Sequence, residues 1–246
     1  MTGAELTIVL IAVIVGAIVK AVTGMGLPII AIPIAALFVD LDDAVVTIAF
    51  PNLVMNGALA FRERSHRSET RDLPTLAVAG VAGATLGTIA FVSLPEEPLV
   101  ILLIVAIAGY VITFFAKPDL QIGLERSRRL APAVGAVAGT FQGAIGISGP
   151  IIGSWIHSYR LPRGAHILSV TSLFLVSGTT QFLVLTGSGE LAGRVGASLL
   201  ACIPVLGSIP IGAWLRNRVS ARGFDLAVIG MLIASIGALA IRTVGS

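Results

Sequence analysis

Thr23-Gly24-Met25-Gly26-Leu27-Pro28 breaks an apolar stretch that covers residues 5–38, and Gly143-Ala144-Ile145-Gly146-Ile147-Ser148-Gly149-Pro150 breaks a second one over 131–157. Each stretch is too long for one span, since a helix crosses the hydrocarbon core with about 20 apolar residues. Glycine and proline in mid-helix free backbone N–H and C=O groups, and lipid offers these groups no partner. A break at membrane depth therefore persists only where protein covers it or where it lines a polar cavity. Two such breaks decide how the rest of the chain is read.

Six further segments are apolar enough to span: 44–61, 73–92, 98–116, 165–186, 195–215 and 223–241. Over all 246 residues, 56% are hydrophobic and 12% are charged. Soluble domains carry about 45–50% and 25%. With a mean hydropathy of +0.99, the expected fold class is an all-α, polytopic membrane protein. Cytosolic catalysis, nucleic-acid binding and a disulfide scaffold are excluded on the same grounds. The net charge of +3 fits arginine on cytoplasmic loops without any nucleic acid. The single cysteine, Cys202, lies in an apolar run and reads as a small buried hydrophobe. The N-terminus has neither a basic region nor a small-residue cleavage site, which argues against a removable signal peptide.

The two interrupted stretches resemble each other. Val15-Gly16 matches Val134-Gly135, and Pro28-Ile29-Ile30 matches Pro150-Ile151-Ile152. Further on, Ala44 falls opposite Ala165, Asn56-Gly57 opposite Ser177-Gly178, and Phe61 opposite Phe182. The offset stays near half the chain length, as an internal duplication requires. The expected organisation is an N-terminal repeat over 1–116, a basic cytoplasmic linker over 117–129 and a C-terminal repeat over 130–246. Each repeat is a broken or re-entrant first segment followed by three transmembrane helices.

Charge placement bears on topology. Arg62, Arg64, Arg67 and Arg71 mark one connection as cytoplasmic, and Lys117, Arg126, Arg128 and Arg129 mark another. The acidic loops with Asp40, Asp42 and Asp43 and with Glu96 and Glu97 fall opposite. Eight full spans in parallel halves would place Arg160, Arg163, Arg216, Arg218 and Arg222 outside. Re-entrant hairpins make every basic cluster cytoplasmic and the halves inverted. Both topologies stay open at this point.

Two breaks in corresponding positions point to a transport site, because broken helices aim unpaired N–H groups and positive dipole ends at a small anion. Lys20 is the charged residue inside the first stretch, and no Asp or Glu lies within a span to pair with it. An uncompensated ammonium in the membrane is costly, so a diffusible anion is a reasonable partner; snorkelling to an interface is the alternative. The candidate substrate-binding residues are Lys20, Thr23, Gly24, Met25, Gly26, Asn52, Asn56, Gln142, Gly146, Ile147, Ser148, Gly149, Thr171 and Gln181. The glycines of Gly83-x-x-x-Gly87 and Gly135-x-x-x-Gly139-x-x-x-Gly143 read as helix-packing residues. His157 and His166 read as solvated loop-end histidines, and Trp214, Tyr110 and Tyr159 as interface anchors. No metal constellation, phosphate loop or cofactor motif is present in the sequence.

The pattern resembles the TauE/SafE-type sulfite exporters, a family of duplicated four-helix permeases. The resemblance rests on Gly24-Met25-Gly26-Leu27-Pro28 with Ala44-Val45-Val46-Thr47, and on Gly146-Ile147-Ser148-Gly149-Pro150 with Ala165. It implies a multi-pass protein of the inner membrane that exports a small sulfur-containing anion such as sulfite or an organosulfonate, without a cofactor and without enzymatic activity. The expected partners are that anion and the bilayer, and a homo-oligomer is left open. Two rivals stand beside it. Gly146-x-Ser148-Gly149 has the form of an intramembrane serine protease motif, with Ser148 paired to His157 or His166. A non-transporting membrane subunit would make both breaks packing features.

Overall fold

Thr2 and Glu5 open the chain with a reciprocal cap: the Thr2 N–H donates to Glu5 Oε2 at 2.6 Å and the Glu5 N–H to Thr2 Oγ1 at 3.3 Å. The computed structural model describes the backbone of residues 1–23, 25–116, 121–216, 218 and 221–245. The side chains of residues 23, 213, 216, 221–227 and 242–245 lie outside that description. Gly24, the Thr23 side chain and residues 117–120 of the expected linker are thus not placed. Among the described residues the chain is all-helical, with no strand.

The first interrupted stretch forms α1 (Gly3–Thr23) and α2 (Leu27–Ala35). The second forms α6 (Leu124–Ile145) and α7 (Gly149–His157). Each break falls late in its stretch, so the arms are unequal, 21 and 9 residues in one case and 22 and 9 in the other. Pro28 and Pro150 sit in the first turn of the short arms. There the missing proline N–H costs nothing, because that turn has no intrahelical acceptor. The short arm doubles back in both cases. A Cβ on Gly16 would meet the Leu27 carbonyl and Ala31, contacts that only a folded-back α2 can make. The Ile122 N–H donates to Ser158 O at 3.4 Å, which joins the chain before α6 to the chain after α7.

Between and after these stretches lie α3 (Leu41–Arg62), α4 (Leu73–Ser93), α5 (Glu96–Ala116), α8 (Arg163–Gly187), α9 (Val195–Arg216) and α10 (Ala221–Gly245), with a short 3-10 turn at Arg64–Glu69. Among the described residues six helices are long and apolar enough to cross a membrane: α1, α3, α4, α5, α8 and α9. Five of these coincide with the spans read from the sequence. The expected span at 223–241 falls within α10, whose described apolar part is residues 228–241. The long first arm, read only as part of an interrupted stretch, is by itself long and apolar enough to cross. Bulky apolar side chains on α5, among them Ile101, Val105, Ile112 and Phe115, face outward as lipid contact requires. The chain is a multi-pass membrane protein.

Two polar faces orient the helices. On the basic face Ser127 Oγ donates to Asp72 Oδ2 at 2.6 Å, Tyr159 Oη donates to the same oxygen at 3.1 Å, and Arg71 donates to Ile122 O at 3.2 Å. The His66 ring lies against Gly164 on that face. On the acidic face Arg194 Nε donates to Asp43 Oδ1 at 2.6 Å and Arg194 Nη1 to Glu190 Oε2 at 3.1 Å, while the Leu41 N–H donates to Glu96 Oε1 at 3.0 Å. Hence α3 runs from the acidic face to the basic one and α8 runs back.

α4 packs on α6, α9 on α1, and α3 on α8 with Phe50 and Phe182 ring centroids 5.4 Å apart. α10 lies on α2 and α5 on α7. The α4–α6 contact is made through glycine: a Cβ on Gly83, Gly87, Gly139 or Gly143 would run into the facing helix's backbone. That is the packing role the spacing suggests.

Candidate functional site

The two short arms lie side by side with their breaks staggered. Met25 touches Gly153 in the body of α7, and Ile32 in the body of α2 touches Gly146. The breaks do not meet tip to tip; each faces the flank of the other short helix. Both backbones turn on a glycine that a side chain would strain. Gly26 has φ 128° and Gly146 φ 72°, conformations L-residues avoid. An added Cβ would also meet Val19 Cγ1 at 2.9 Å or Ile32 Cδ1 at 2.8 Å.

Between the arms is a cavity of about 40 Å³, room for about three waters or one ion of a few heavy atoms. Its wall takes Met25 and Gly26 from the first break and Gly146, Ile147, Ser148 and Gly149 from the second. Asn52 and Gln142 add side-chain polarity, and Phe174, Tyr110, Phe114 and Val228 complete an aromatic and apolar side. Ile29 and Gly149, in the first turns of α2 and α7, line this space with N–H groups that have no acceptor within their own helices, while the Ile151 N–H donates to Ser148 O at 3.2 Å.

Behind the wall on one side is a buried polar cluster on α1 and α3. Lys20 is 0% exposed, and its Nζ donates to Asn52 Oδ1 at 2.8 Å and lies 5.3 Å from the Phe174 ring centroid. Snorkelling is thereby ruled out. Asn56 Nδ2 donates to the same Oδ1 at 3.2 Å. With that oxygen doubly engaged, the Asn52 amide keeps its two N–H groups for the cavity it lines. Pro51, just before Asn52, offers no N–H to the Thr47 carbonyl, which loosens α3 where its amide reaches in. Asn56 Oδ1 and Thr47 Oγ1 are buried and have no partner among the described residues.

On the other side, glutamines hold the second break. Gln142 Nε2 donates to Gly146 O at 3.1 Å and lies 3.3 Å from Gln181 Oε1, while Gln181 Nε2 donates to Gly143 O at 3.2 Å. These amides satisfy carbonyls that the end of α6 leaves without helical donors. Ser148 Oγ donates to Gln142 Oε1 at 2.9 Å.

Of the fourteen residues expected from the sequence, eight line the cavity: Met25, Gly26, Asn52, Gln142, Gly146, Ile147, Ser148 and Gly149. Lys20 and Asn56 stand one layer behind, and Gln181 borders a much smaller space of about 10 Å³ with Asn52 and Gln142. Thr171 is elsewhere: buried on α8, its hydroxyl returns to Ile167 O at 2.7 Å and is spent within its own helix. Gly24 and the Thr23 side chain lie outside the described residues. Sequence reasoning missed Phe174, one turn beyond Thr171, and took Tyr110 for an interface anchor, although it faces the cavity.

The protease geometry is absent. The Ser148 hydroxyl is bonded to Gln142, and His157 lies nine residues further along α7, roughly 13 Å by helical rise. His157 pairs instead with His166, ring centroids 6.4 Å apart. Among the described residues no group of His, Cys, Asp and Glu could hold a metal.

Compared with known families, residues 8–239 match the one described as Sulfite exporter TauE/SafE, a family of transporters and not of enzymes. No curated protein and no solved structure matches the chain.

Proposed function

The chain belongs to the TauE/SafE sulfite exporter family, and on that premise we propose that it carries a small sulfur-containing anion, a sulfite or an organosulfonate, outward across the inner membrane through the cavity between its two breaks. The observation that carries this reading is the shared wall: both breaks, a bare amide and a masked ammonium converge on one small space. Each feature favours negative charge. Helix-start N–H groups bind oxyanions, and Asn52 presents donors. Lys20 adds attraction from behind, about 3 kcal/mol for opposite charges roughly 6 Å apart at an effective dielectric of 20.

The fold is read as two inverted halves, 1–116 and 130–246, joined by a basic linker over 117–129. Support comes from the unequal arms of both hairpins, from reciprocal packing (α4 on α6 with α9 on α1, α5 on α7 with α10 on α2), and from Tyr159 and Arg71 sharing one face. That face, rich in arginine, is the cytoplasmic one. Alternating access follows from motion of the hairpin-bearing bundle against the outer helices.

The test is flux into proteoliposomes for a panel of sulfite, sulfoacetate, isethionate, sulfate and chloride. Sulfite or a sulfonate should move at least tenfold faster than through empty liposomes, and Ser148→Ala should give a graded reduction. Equal rates for every anion with and without the protein would overturn the reading.

A further inference from the structure

Among the described residues the Lys20 amino group has no counter-charge. Its side chain is fully buried, and its two partners, Asn52 Oδ1 and the Phe174 ring, are both neutral. Among the described residues the elements around it supply no acid: on α1 itself Glu5 lies in the first turn, at the opposite end from Lys20. α2 has no titratable residue, and α3 carries its ionisable groups only at its ends, Asp42 and Asp43 near one and Arg62 at the other. α8 carries Arg163 and His166 in its first turn, on the basic face. On α9 the Cys202 thiol donates to Ser198 O, and Arg216 lies at the far end.

A buried ammonium without an anion is costly, and the usual escape is loss of the proton. The bond to Asn52 survives either way, because a neutral amine keeps N–H donors for Oδ1. Asn52 and Phe174 also form part of the cavity wall, so one layer of side chain separates Nζ from any guest.

Resting on the carrier reading above, we propose that Lys20 couples transport to protons: it stands as a neutral amine while the cavity is empty, and an entering anion brings a proton onto Nζ. The step balances as amine, proton and anion giving ammonium and bound anion. On release the ammonium returns its proton to water as the anion leaves. One proton thus accompanies each singly charged guest, and the loaded site carries no net charge across the membrane. A membrane-embedded carboxylate, which this chain lacks, is then unnecessary.

Isethionate is the suitable probe, because its sulfonate stays ionised where sulfite would itself titrate. Calorimetric titration of the purified protein near neutral pH, in two buffers of different ionisation enthalpy, counts the protons taken up per anion bound. The expected count is about one for the wild type and close to zero for Lys20→Arg, which is permanently charged. Lys20→Met should bind more weakly and also take up none. Binding by the wild type without proton uptake, or the same uptake in Lys20→Arg, overturns the inference and leaves the carrier intact. Absence of both isethionate binding and liposome flux removes the carrier reading and this inference with it.

Discussion

Lys20 Nζ and Asn52 Oδ1 lie 2.8 Å apart inside the membrane, with Lys20 sealed completely and Asn52 4% exposed at the cavity wall. The pair joins α1 to α3. Asn52→Asp should hold Lys20 permanently protonated and fill the place of the guest. Anion flux should fall at least tenfold while the thermal midpoint in detergent stays level or rises. Asn52→Leu should instead cost about 1–3 kcal/mol of stability, the cost of an orphaned buried donor.

The glycines at the breaks are fixed by conformation as well as by space. Gly146→Ala forces a Cβ into φ 72° and against Ile32 Cδ1, a strain of about 1–3 kcal/mol. A lower melting temperature and reduced flux are expected. Adding Ile32→Val, which deletes the offending methyl, should restore part of the stability and not all of it. Full restoration would mean that backbone conformation contributes nothing.

Helix-packing glycines give an opposite outcome from an exposed one. Gly83→Ala places a methyl against the Ala136 backbone and should destabilise by about 1–3 kcal/mol through overpacking. Gly230→Ala on α10 has open space around the new methyl, and alanine is the better helix former by about 1 kcal/mol. Thermal denaturation of the two variants in one detergent should therefore shift in opposite directions.

At the basic face Tyr159 donates to Asp72 at 3.1 Å and accepts from Trp155 Nε1 at 2.6 Å. Burial and the neighbouring Asp72 carboxylate raise the phenol above its usual value of about 10. For a raised group the contribution to stability is whole below the ordinary value and is lost as pH climbs through the raised one. Tyr159→Phe should lower stability by about 1.5–3 kcal/mol at neutral pH. The gap between variant and wild type should close only at strongly alkaline pH.

Topology is open to a direct check with single cysteines in a Cys202→Ser background. Cysteines replacing Arg67 and Arg160 should react with an impermeant thiol reagent from one side of the membrane, and those replacing Glu97 and Glu190 from the other. Reaction of the Arg160→Cys variant on the same side as Glu97→Cys, with Glu190→Cys on the side of Arg67→Cys, would favour eight parallel spans.

Both breaks are legible in the sequence because glycine beside proline inside an apolar run has few uses in lipid. Gly26 and Gly146 are among the glycines so marked, but nothing in the sequence sets their positive φ apart from the neighbouring Gly24 and Gly149. The glycine spacing of α4 and α6 is legible for the same reason. Lys20's partner is not, because Asn52 lies 32 residues away and periodicity speaks only for neighbours on one helix. α8 is apolar around most of its circumference, so nothing in its pattern says that Phe174, and not the threonine a turn earlier, forms the wall. Tyr110 misleads similarly, since an aromatic residue near a span end looks the same whether it meets headgroups or a cavity.

The α4–α6 seam has a mechanical corollary. Where main chains touch directly there are no side chains to rearrange, so α4 and the long arm of the second hairpin must travel as one rivet-tight piece. On the alternating-access proposal, displacement is absorbed at the sparser joints, α5 against α7 and α10 against α2, beside Tyr110, Phe114 and Val228. Spin labels straddling the seam should keep a constant separation through the transport cycle, and labels across the sparse joints should not.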